Sequence, residues 1–287
     1  VYSYSNITSI VTDSSGAVYV TMNGYNGGLY NNDGTTTVSV TMYGYSGVLG
    51  KIVNGVWQWC NSVGITSYGQ GGIGQTRMVS TRVASSGNVY SVGTMHGLYE
   101  ADGSNQVIGF FSNNSSTPTV TKTSFGTAGD VYIMSSSPSG VVQWVAQLGG
   151  TNADDMGMGL EIDSSENITC MGTFTSSVFT AYSSIGVAYG TTLTLGTSGD
   201  AFIAKYNSAG NVTGLSKFIL PNYTYLQVHS TLRDPGSNIF VTGVVNNSGT
   251  YRSFITKMNS TNTILWTNYV NGDGNSLATQ PRIALYA

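Results

Sequence analysis

The densest group of acidic side chains in this 287-residue chain comprises Asp154, Asp155, Glu161 and Asp163. Paired carboxylates can act as the acid and the base of glycoside hydrolysis, and carboxylate oxygens are preferred ligands of calcium. Asp163, however, occupies a turn position that recurs along the chain, whereas the adjacent pair Asp154 and Asp155 has no counterpart elsewhere. A structural or solvated role is therefore favoured, with calcium binding second and catalysis third.

Two other features have suitable residue types but lack the context that their chemistry needs. Residues 69–74 match the glycine spacing of a dinucleotide-binding loop, but such a loop must open a helix and a β-pattern follows here. His96 and His229 are the only histidines, and neither lies in a spacing typical of metal centres or catalytic triads. Both are predicted to be ordinary loop or strand residues.

A further oxygen-rich segment alternates Asn271, Asp273 and Asn275. A complete calcium loop also needs a distal bidentate carboxylate, and none follows these residues. A plain turn is thus the favoured interpretation. The sequence predicts no catalytic residue, no cofactor-binding residue and no metal ligand, and calcium is left as a weak alternative.

The elements that must position these residues belong to a unit that recurs four times. One part of it is a polar turn between two short strand-forming runs, at 13–20, 84–91, 163–170 and 234–241. An Asp that starts such a turn can accept hydrogen bonds from backbone N–H groups, and Gly or Asn allows positive φ. The repeated positions predicted to be structural are the turn aspartates and the matched residues of the last strand: Asp13, Asp163, Asp234, Trp59, Trp144, Leu215 and Trp266.

Each unit contains four strand patterns joined by hairpin connections, which is typical of a β-propeller blade. The sequence therefore predicts an all-β fold in a single domain over residues 1–287, a β-propeller of four-stranded blades. The four recognisable blades lie at about 5–66, 75–149, 156–221 and 226–272.

The units also carry segments that depart from the repeat. Long insertions separate the second and third strands of the first three units, at 22–45, 95–128 and 173–198. Insertions of this kind commonly carry recognition or assembly surfaces. The tail at 273–287 contains a strand pattern, at 278–286, that resembles the first strand of a fifth unit. This strand could close the ring against an N-terminal strand, begin further blades or insert into a neighbouring subunit.

Residues 154–172 and 200–207 resemble the SBBP family of β-propeller repeats, which occurs in surface and secreted proteins of bacteria, protists and large DNA viruses. The resemblance extends over nearly the whole chain, is strongest in the third unit and is weakest in the second. It implies a propeller fold and brings no catalytic motif. The second unit departs from the family pattern at Ala84, in place of the turn Asp, and at Ser135, in place of a strand Lys.

The composition of the chain limits its partners. Charged residues make up 8% of the sequence, against ~25% in an average globular protein. The net charge is −3 and Lys and Arg form no cluster, which argues against nucleic acid or an anionic membrane as the main partner. No apolar run approaches the ~18–20 residues of a membrane span, so membrane insertion is not expected. A surface rich in Ser, Thr, Asn, Gly and Tyr suits an extracellular, cell-surface or virion-surface protein.

Several side chains are candidates for modification or contact. Cys60 and Cys170 are predicted to be small buried hydrophobes rather than a disulfide. Tyrosines in the insertions and strands could contact carbohydrate or protein partners, namely Tyr25, Tyr30, Tyr43, Tyr45 and Tyr182. Asn-X-Ser/Thr sequences permit N-glycosylation in a secreted protein, and they occur at Asn6, Asn113, Asn114, Asn167, Asn211, Asn222, Asn246 and Asn259.

These observations predict a non-enzymatic extracellular structural protein, a subunit or repeated segment of a fibre, appendage, coat or spike. It would assemble with itself or with other surface or coat proteins through the insertions and the C-terminal strand. The alternative is an adhesin or lectin module that binds carbohydrate or protein. A secreted polysaccharide hydrolase, with Asp154 and Asp155 as its candidate residues, is the third hypothesis.

Overall fold

The computed structural model describes residues 6–25, 28–30, 36–39, 45–66, 75–96, 106–113, 115–126, 128–151, 153–196 and 199–271. Over these ranges the protein is all-β, with 20 strands in four antiparallel sheets and two further strands in a separate hairpin. None of the described residues forms a helix that is long and apolar enough to cross a membrane.

The strands follow the four predicted units. Unit 1 contains β1 (Asn6–Thr12), β2 (Val18–Tyr25), β3 (Gly28–Tyr30), β4 (Thr36–Ser39), β5 (Tyr45–Val53) and β6 (Val56–Ile65). Unit 2 contains β7 (Thr76–Val83), β8 (Val89–His96), β9 (Val107–Phe111), β10 (Val120–Thr123), β11 (Gly129–Ser136) and β12 (Val142–Gly149). Unit 3 contains β13 (Met156–Ile162), β14 (Ile168–Phe174), β15 (Val178–Tyr182), β16 (Ala188–Thr194), β17 (Asp200–Tyr206) and β18 (Val212–Phe218). Unit 4 contains β19 (Tyr225–Arg233), β20 (Ile239–Asn247), β21 (Thr250–Met258) and β22 (Ile264–Asn271).

The sheets are not all four-stranded, which corrects the sequence prediction. Sheet 3 has the order β13-β14-β17-β18 and sheet 4 the order β19-β20-β21-β22, as predicted. Sheet 1 has the order β1-β2-β5-β6-β9-β10, and sheet 2 the order β7-β8-β11-β12-β15-β16. The insertion of unit 2 therefore extends the sheet of unit 1, and the insertion of unit 3 extends that of unit 2. Each added hairpin pairs with an outer strand whose backbone groups would otherwise lie at a sheet edge.

The recurrent turns form as their sequence predicts. Asp13 Oδ1 accepts hydrogen bonds from the backbone N–H groups of Ser15 and Ala17, at 2.9 and 3.0 Å. Gly16 follows at φ 83°, a conformation that glycine adopts without strain. Asp163 and Asp234 accept equivalent bonds four residues along, from the backbone N–H groups of Asn167 and Asn238. Each of the three aspartates therefore accepts hydrogen bonds within its own turn.

The core lies between consecutive sheets rather than at one centre. One cluster joins residues such as Tyr19 and Trp59 of unit 1 to Met78 and Tyr132 of unit 2, and similar clusters join units 2 and 3 and units 3 and 4. Cys60 and Cys170 are buried and neither is in a disulfide, as predicted.

The described sheets do not close into a ring. Within the described ranges, no strand of sheet 4 pairs with a strand of sheet 1. The predicted β-propeller of four-stranded blades is therefore not confirmed over the described residues. The predicted tail strand at 278–286 lies outside the described residues, as do the glycine-rich segment at 69–74 and Asp273 and Asn275.

Candidate functional site

Both histidines lie in one cavity near the first strands of the four units. The cavity has a volume of about 360 Å³ and mixes polar side chains with the methionines of β13. Its lining consists of Asn6, Thr8, Asn23, Tyr45, Arg77, Val79, Thr94, His96, Met156, Met158, Gln227 and His229. The sequence does not predict that the two histidines lie together, because nothing in their spacing indicates that β8 and β19 approach the same point.

His96 meets one of the predicted acidic residues at this cavity. Its Nδ1 lies 3.5 Å from Oδ1 of Asp154, and Asp154 also accepts a hydrogen bond from the backbone N–H of Gly129. Burial lowers the pKa of His96, an effect that the Asp154 charge opposes. In the part of the chain that the structure describes, no three His, Cys, Asp or Glu side chains are grouped so that they could hold a metal ion.

The other acidic residues of the predicted cluster are dispersed. Asp155 is fully buried and accepts hydrogen bonds from the backbone N–H groups of Gly150 and Thr175 and from the Ser176 hydroxyl. Glu161 points into the junction of three units, and Asp163 stays in its turn. The four carboxylates therefore do not converge on one point.

Asp155 forms a pair of buried carboxyl groups with Asp130, a residue that the sequence analysis did not single out. Asp130 is buried and its Oδ2 accepts hydrogen bonds from the Phe125 backbone N–H and the Gln147 amide. Both carboxyl groups flank Gly149, where an added Cβ would lie 2.4 Å from Asp130 Oδ1 and 3.3 Å from Asp155 Oδ2. Burial raises the pKa of Asp130 to about 7, with a contribution from the Asp155 charge. Burial also raises the pKa of Asp155 to about 6, against the hydrogen bonds it accepts.

Glu161 is one partner of an ion pair that joins three units. Arg82 of β7 donates from Nε and Nη2 to the two carboxylate oxygens of Glu161 in β13. The Thr231 hydroxyl of β19 donates to Glu161 at 2.9 Å, and Arg82 also donates to the Thr231 carbonyl at 3.1 Å. The first strands of units 2, 3 and 4 are thus tied together by one hydrogen-bonded group.

A second recurring contact joins each unit to the next one. The Trp59 indole N–H donates to the carbonyl of Pro138 at 3.0 Å, and the Trp144 indole N–H donates to the carbonyl of Ser208 at 2.9 Å. Each acceptor is the second residue of the turn before the last strand of the following unit. Unit 3 has Leu215 at the tryptophan position, and there Lys205 donates to the Ser260 carbonyl at 3.0 Å.

Glycine is required where the tryptophan rings cross these turns. Gly140 has φ 83°, and a Cβ on it would lie 2.6 Å from Cδ2 of Trp59. Gly210 has φ 79°, and a Cβ on it would lie 2.9 Å from Cδ2 of Trp144. The repeated tryptophans and glycines are therefore parts of one contact between units.

Trp59→Phe is expected to lower the free energy of unfolding by about 1–3 kcal/mol, because the Pro138 carbonyl loses its donor and the smaller ring leaves a gap. Trp266→Phe is the matched control and is expected to change stability by less than ~0.5 kcal/mol, because Trp266 is 40% exposed while Trp59 is 4% exposed. Urea unfolding measures both values. Equal losses in the two variants would show that the contact between units contributes nothing.

Unit 2 lacks the turn aspartate, and a residue of the neighbouring unit takes its place as the acceptor for the repeated tyrosine hydroxyl. In unit 1 the Tyr19 hydroxyl donates to Asp13 at 3.1 Å. In unit 2 the equivalent Tyr90 hydroxyl donates to Glu166 of unit 3 at 2.6 Å, and Asn88 donates to the same oxygen. Glu166 therefore supplies the carboxylate that Ala84 cannot.

Glu166→Asn is expected to destabilise the protein by about 1–3 kcal/mol, since the shorter side chain leaves the Tyr90 hydroxyl without its acceptor. Asn is chosen because residue 166 has φ 61°, which Asn tolerates. Adding Ala84→Asp to this variant should restore much of the loss by rebuilding the arrangement of Asp13 and Tyr19. A thermal melt in which the second substitution rescues nothing would contradict the equivalence.

The last strand of unit 4 differs from its counterparts by its exposure. Five of its side chains are exposed apolar or aromatic groups, here called the terminal patch: Ile264, Leu265, Trp266, Tyr269 and Val270. Trp266 contacts the Phe240 ring with 6.0 Å between centroids. Trp266 is nevertheless 40% exposed, because no described unit follows to cover it. Because successive side chains of a strand point to opposite faces, these groups are exposed on both faces of sheet 4, and large exposed apolar side chains can mark an interaction surface.

The predicted glycosylation positions differ in accessibility. Asn6, Asn113, Asn167, Asn211 and Asn222 are exposed, and Asn246 and Asn259 are half-buried. Asn167 donates its amide to Asp163, and Asn259 accepts three hydrogen bonds within its own turn. Asn114, the remaining glycosylation position, lies outside the described residues. The side chain of Asn271, from the oxygen-rich segment, also lies outside them.

The candidate contact tyrosines that the structure describes make internal contacts. Tyr45 donates to Asn6 at 3.3 Å and its ring lies 5.9 Å from the Arg77 guanidinium. Tyr182 packs against Phe125, with 4.9 Å between ring centroids. Tyr43 and the side chains of Tyr25 and Tyr30 lie outside the described residues.

Comparison with known proteins gives distant structural similarities, two of which are given below. No protein-family model matches the sequence, and no curated protein matches it. A protein of unknown function from Bacteroides caccae aligns with a TM-score of 0.35 and 9% identity, over 93% of this chain and 82% of that one. The rhamnogalacturonan lyase PL11 of Bacillus licheniformis aligns with a TM-score of 0.34 and 13% identity, over 93% of this chain and 53% of that one. Similarities at this level carry no argument about what this chain does.

Proposed function

We propose that this chain is a non-enzymatic structural protein of an extracellular, cell or virion surface, and that it assembles with itself through the ends of its row of units. The four units would be successive blades of a propeller-like arrangement that association completes or extends. The order of the sheets and the cavity beside the first strands support this interpretation.

The observation that carries the proposal is the exposure of the terminal patch. Trp59 is 4% exposed where unit 2 covers it, whereas Trp266 at the matched position is 40% exposed. The outer strand β22 therefore exposes large apolar side chains on the surface that, in units 1 and 2, binds a neighbouring unit. At the opposite end, Ile7 and Ile10 of β1 are also exposed. A subunit with exposed apolar side chains at both ends of its row of units is suited to head-to-tail association.

The composition and the sequons support a surface location. A chain with so few charges gains little solubility from electrostatic repulsion, which matters less for a protein that works in an assembled state. Five exposed Asn-X-Ser/Thr sites provide positions for glycans. The partners proposed are further copies of this chain or other surface or coat proteins.

Sedimentation velocity over a wide range of protein concentrations tests the proposal. We expect the weight-average sedimentation coefficient to rise with concentration towards dimers and larger species. A single monomeric species at all concentrations would contradict self-association. Detergent or organic cosolvent below the denaturing range should shift the equilibrium towards monomer, because the proposed contact is largely apolar.

The cavity near the first strands supports one second candidate, a carbohydrate- or protein-binding module. It offers amide side chains at Asn6 and Gln227, the Arg77 guanidinium and the aromatic face of Tyr45, groups that can recognise sugar hydroxyls and rings. A glycan array tests this candidate, and Arg77→Ala should abolish any binding that occurs at the cavity. An array without a binder would argue against it.

A further inference from the structure

The insertions of units 2 and 3 follow the same structural rule. In unit 2, β9 pairs antiparallel with the outer strand β6 of unit 1, and Val63 lies opposite Phe110. In unit 3, β15 pairs antiparallel with the outer strand β12 of unit 2, and Leu148 lies opposite Ala181. In both cases the first strand of an insertion hairpin adds to the edge of the preceding sheet.

Each hairpin also packs on the third strand of its own unit. Phe110 contacts Tyr132 of β11 with 5.1 Å between ring centroids, and Phe179 contacts Phe202 of β17 with 4.7 Å. Tyr132 and Phe202 occupy matched positions, since each lies three residues before the repeated Lys or Ser of the third strand. The hairpins are therefore held on one side by their own unit and on the other by the preceding sheet.

Unit 1 carries a hairpin of the same kind. The hairpin β3–β4 lies between the second and third strands of its unit, and its Leu29 packs against the buried cluster of Val48 and Cys60. Val48 lies three residues before Lys51 and so matches Tyr132 and Phe202. Over the described residues, however, β3 and β4 form a separate two-stranded sheet. Like the other two hairpins, it packs on the third strand of its own unit, but within the described residues there is no preceding sheet for it to extend.

The outer strands show which edges have a hairpin and which do not. Val63 and Leu148, each four residues after the matched Trp, are both 0% exposed. Val270 holds the same position in β22 and is 65% exposed. Ile219 holds it in unit 3 and is 64% exposed, because β20 and β21 of unit 4 join through a tight turn at Ser248 and Gly249 and provide no insertion.

We infer that the hairpin β3–β4 of one copy adds to the edge of β22 in a second copy, with β3 antiparallel to β22. The inference rests on the proposed function and specifies its contact. The contact repeats the β9–β6 and β15–β12 pairings between chains, gives the backbone of β22 a partner and covers Val270. It joins two different surfaces, so repetition produces a closed ring if the rotation per copy divides a full turn, and a filament otherwise.

Two variants of the full chain each remove one half of this contact. Val270→Arg places a charge under the proposed hairpin. Ile219→Arg is the matched control, because Ile219 is equally exposed but no hairpin is proposed to pack over it. The second variant replaces residues 26–44 with the Asn-Ser-Gly turn that joins β20 to β21, a connection that unit 4 already uses. Circular dichroism and thermal melting confirm that each variant is folded.

Sedimentation velocity and native mass spectrometry measure the result. We expect Val270→Arg and the hairpin replacement to weaken association by roughly tenfold or more, and Ile219→Arg to leave it unchanged. A mixture of the two weakened variants should form heterodimers and nothing larger, because the intact hairpin of one can still join the intact β22 of the other.

The outcomes separate the inference from the proposed function. A wild-type chain that stays monomeric overturns both. If the wild-type chain associates and both the Val270→Arg and the hairpin-replacement variants associate as strongly, the inference alone is overturned. A mixture of the two variants that forms no heterodimers also overturns the inference alone. Equal weakening by Ile219→Arg and Val270→Arg would also overturn it, since the effect would then come from charge rather than from the hairpin edge.

Discussion

Glu161→Leu is expected to lower the free energy of unfolding by about 3–5 kcal/mol, because it leaves the Arg82 guanidinium without its carboxylate at the junction of three units. The Glu161 side chain is 4% exposed and that of Arg82 is 21% exposed. Access of water to Arg82 places the expected loss towards the lower end of that range. Urea unfolding monitored by tryptophan fluorescence measures the change.

The double substitution Arg82→Met with Glu161→Leu provides the control for the ion pair. Removing both charges leaves no unpaired group, so the double variant should be more stable than the sum of the two single changes predicts. Thr231 remains in place in all variants. Strictly additive losses would contradict the assignment of the effect to the pair.

Raising the pH from 5 to 8 is expected to destabilise the protein through Asp130 and Asp155. Burial raises the pKa of Asp130 to about 7 and that of Asp155 to about 6, so the folded state holds protons that the unfolded chain releases near pH 4. Their contribution to stability is fully present below that pH and is lost as the pH rises through 6 and 7. Each group accounts for up to about 1.4 kcal/mol per pH unit over this range.

The turn aspartates oppose this trend only at low pH. The hydrogen bond from the Ser15 hydroxyl lowers the pKa of Asp13, and the hydrogen bond from the Asn238 side chain lowers that of Asp234. Their contribution to stability is present above the ordinary carboxyl pKa and is lost as the pH falls below it. Stability should therefore be greatest near pH 4, where the turn aspartates are ionised and Asp130 and Asp155 still hold their protons in the folded state.

Asp130→Asn is the control for the pH dependence. Asn cannot ionise, and its Oδ1 can still accept from Phe125 and Gln147, so the fall in melting temperature between pH 5 and 8 should become markedly smaller. An unchanged fall in this variant would show that other groups cause the dependence. A melting temperature that rises from pH 5 to 8 in the wild-type protein would contradict the sign.

The strands within each unit could be predicted because their signals are local. The turn at Asp13 to Val20 contains its own hydrogen-bond acceptor and its own glycine, and alternating residues follow it. The same chemistry recurs at Asp163 and Asp234, so the second and third copies confirm the first. The absence of Asp at Ala84 was visible in the sequence, but its replacement by Glu166 was not, because that contact depends on how two units pack.

The contacts between units could not be predicted because their partners lie far apart in the chain. Arg82 and Glu161 are 79 positions apart, as are Trp59 and Pro138. A repeated Trp is equally consistent with burial and exposure until the following unit is located, so the sequence alone does not distinguish Trp266 from Trp59. The pairing of β9 with β6 was likewise hidden, since strand patterns in an insertion indicate a hairpin and not the sheet that it extends.

Electron microscopy of the assembled protein tests self-association through the unit ends most directly. We expect images of rings or filaments in which unit 4 of each copy contacts unit 1 of the next, with β3–β4 density continuous with the sheet of β22. Particles that contain one copy each, or assemblies joined through other surfaces while β22 stays exposed, would contradict the proposed contact.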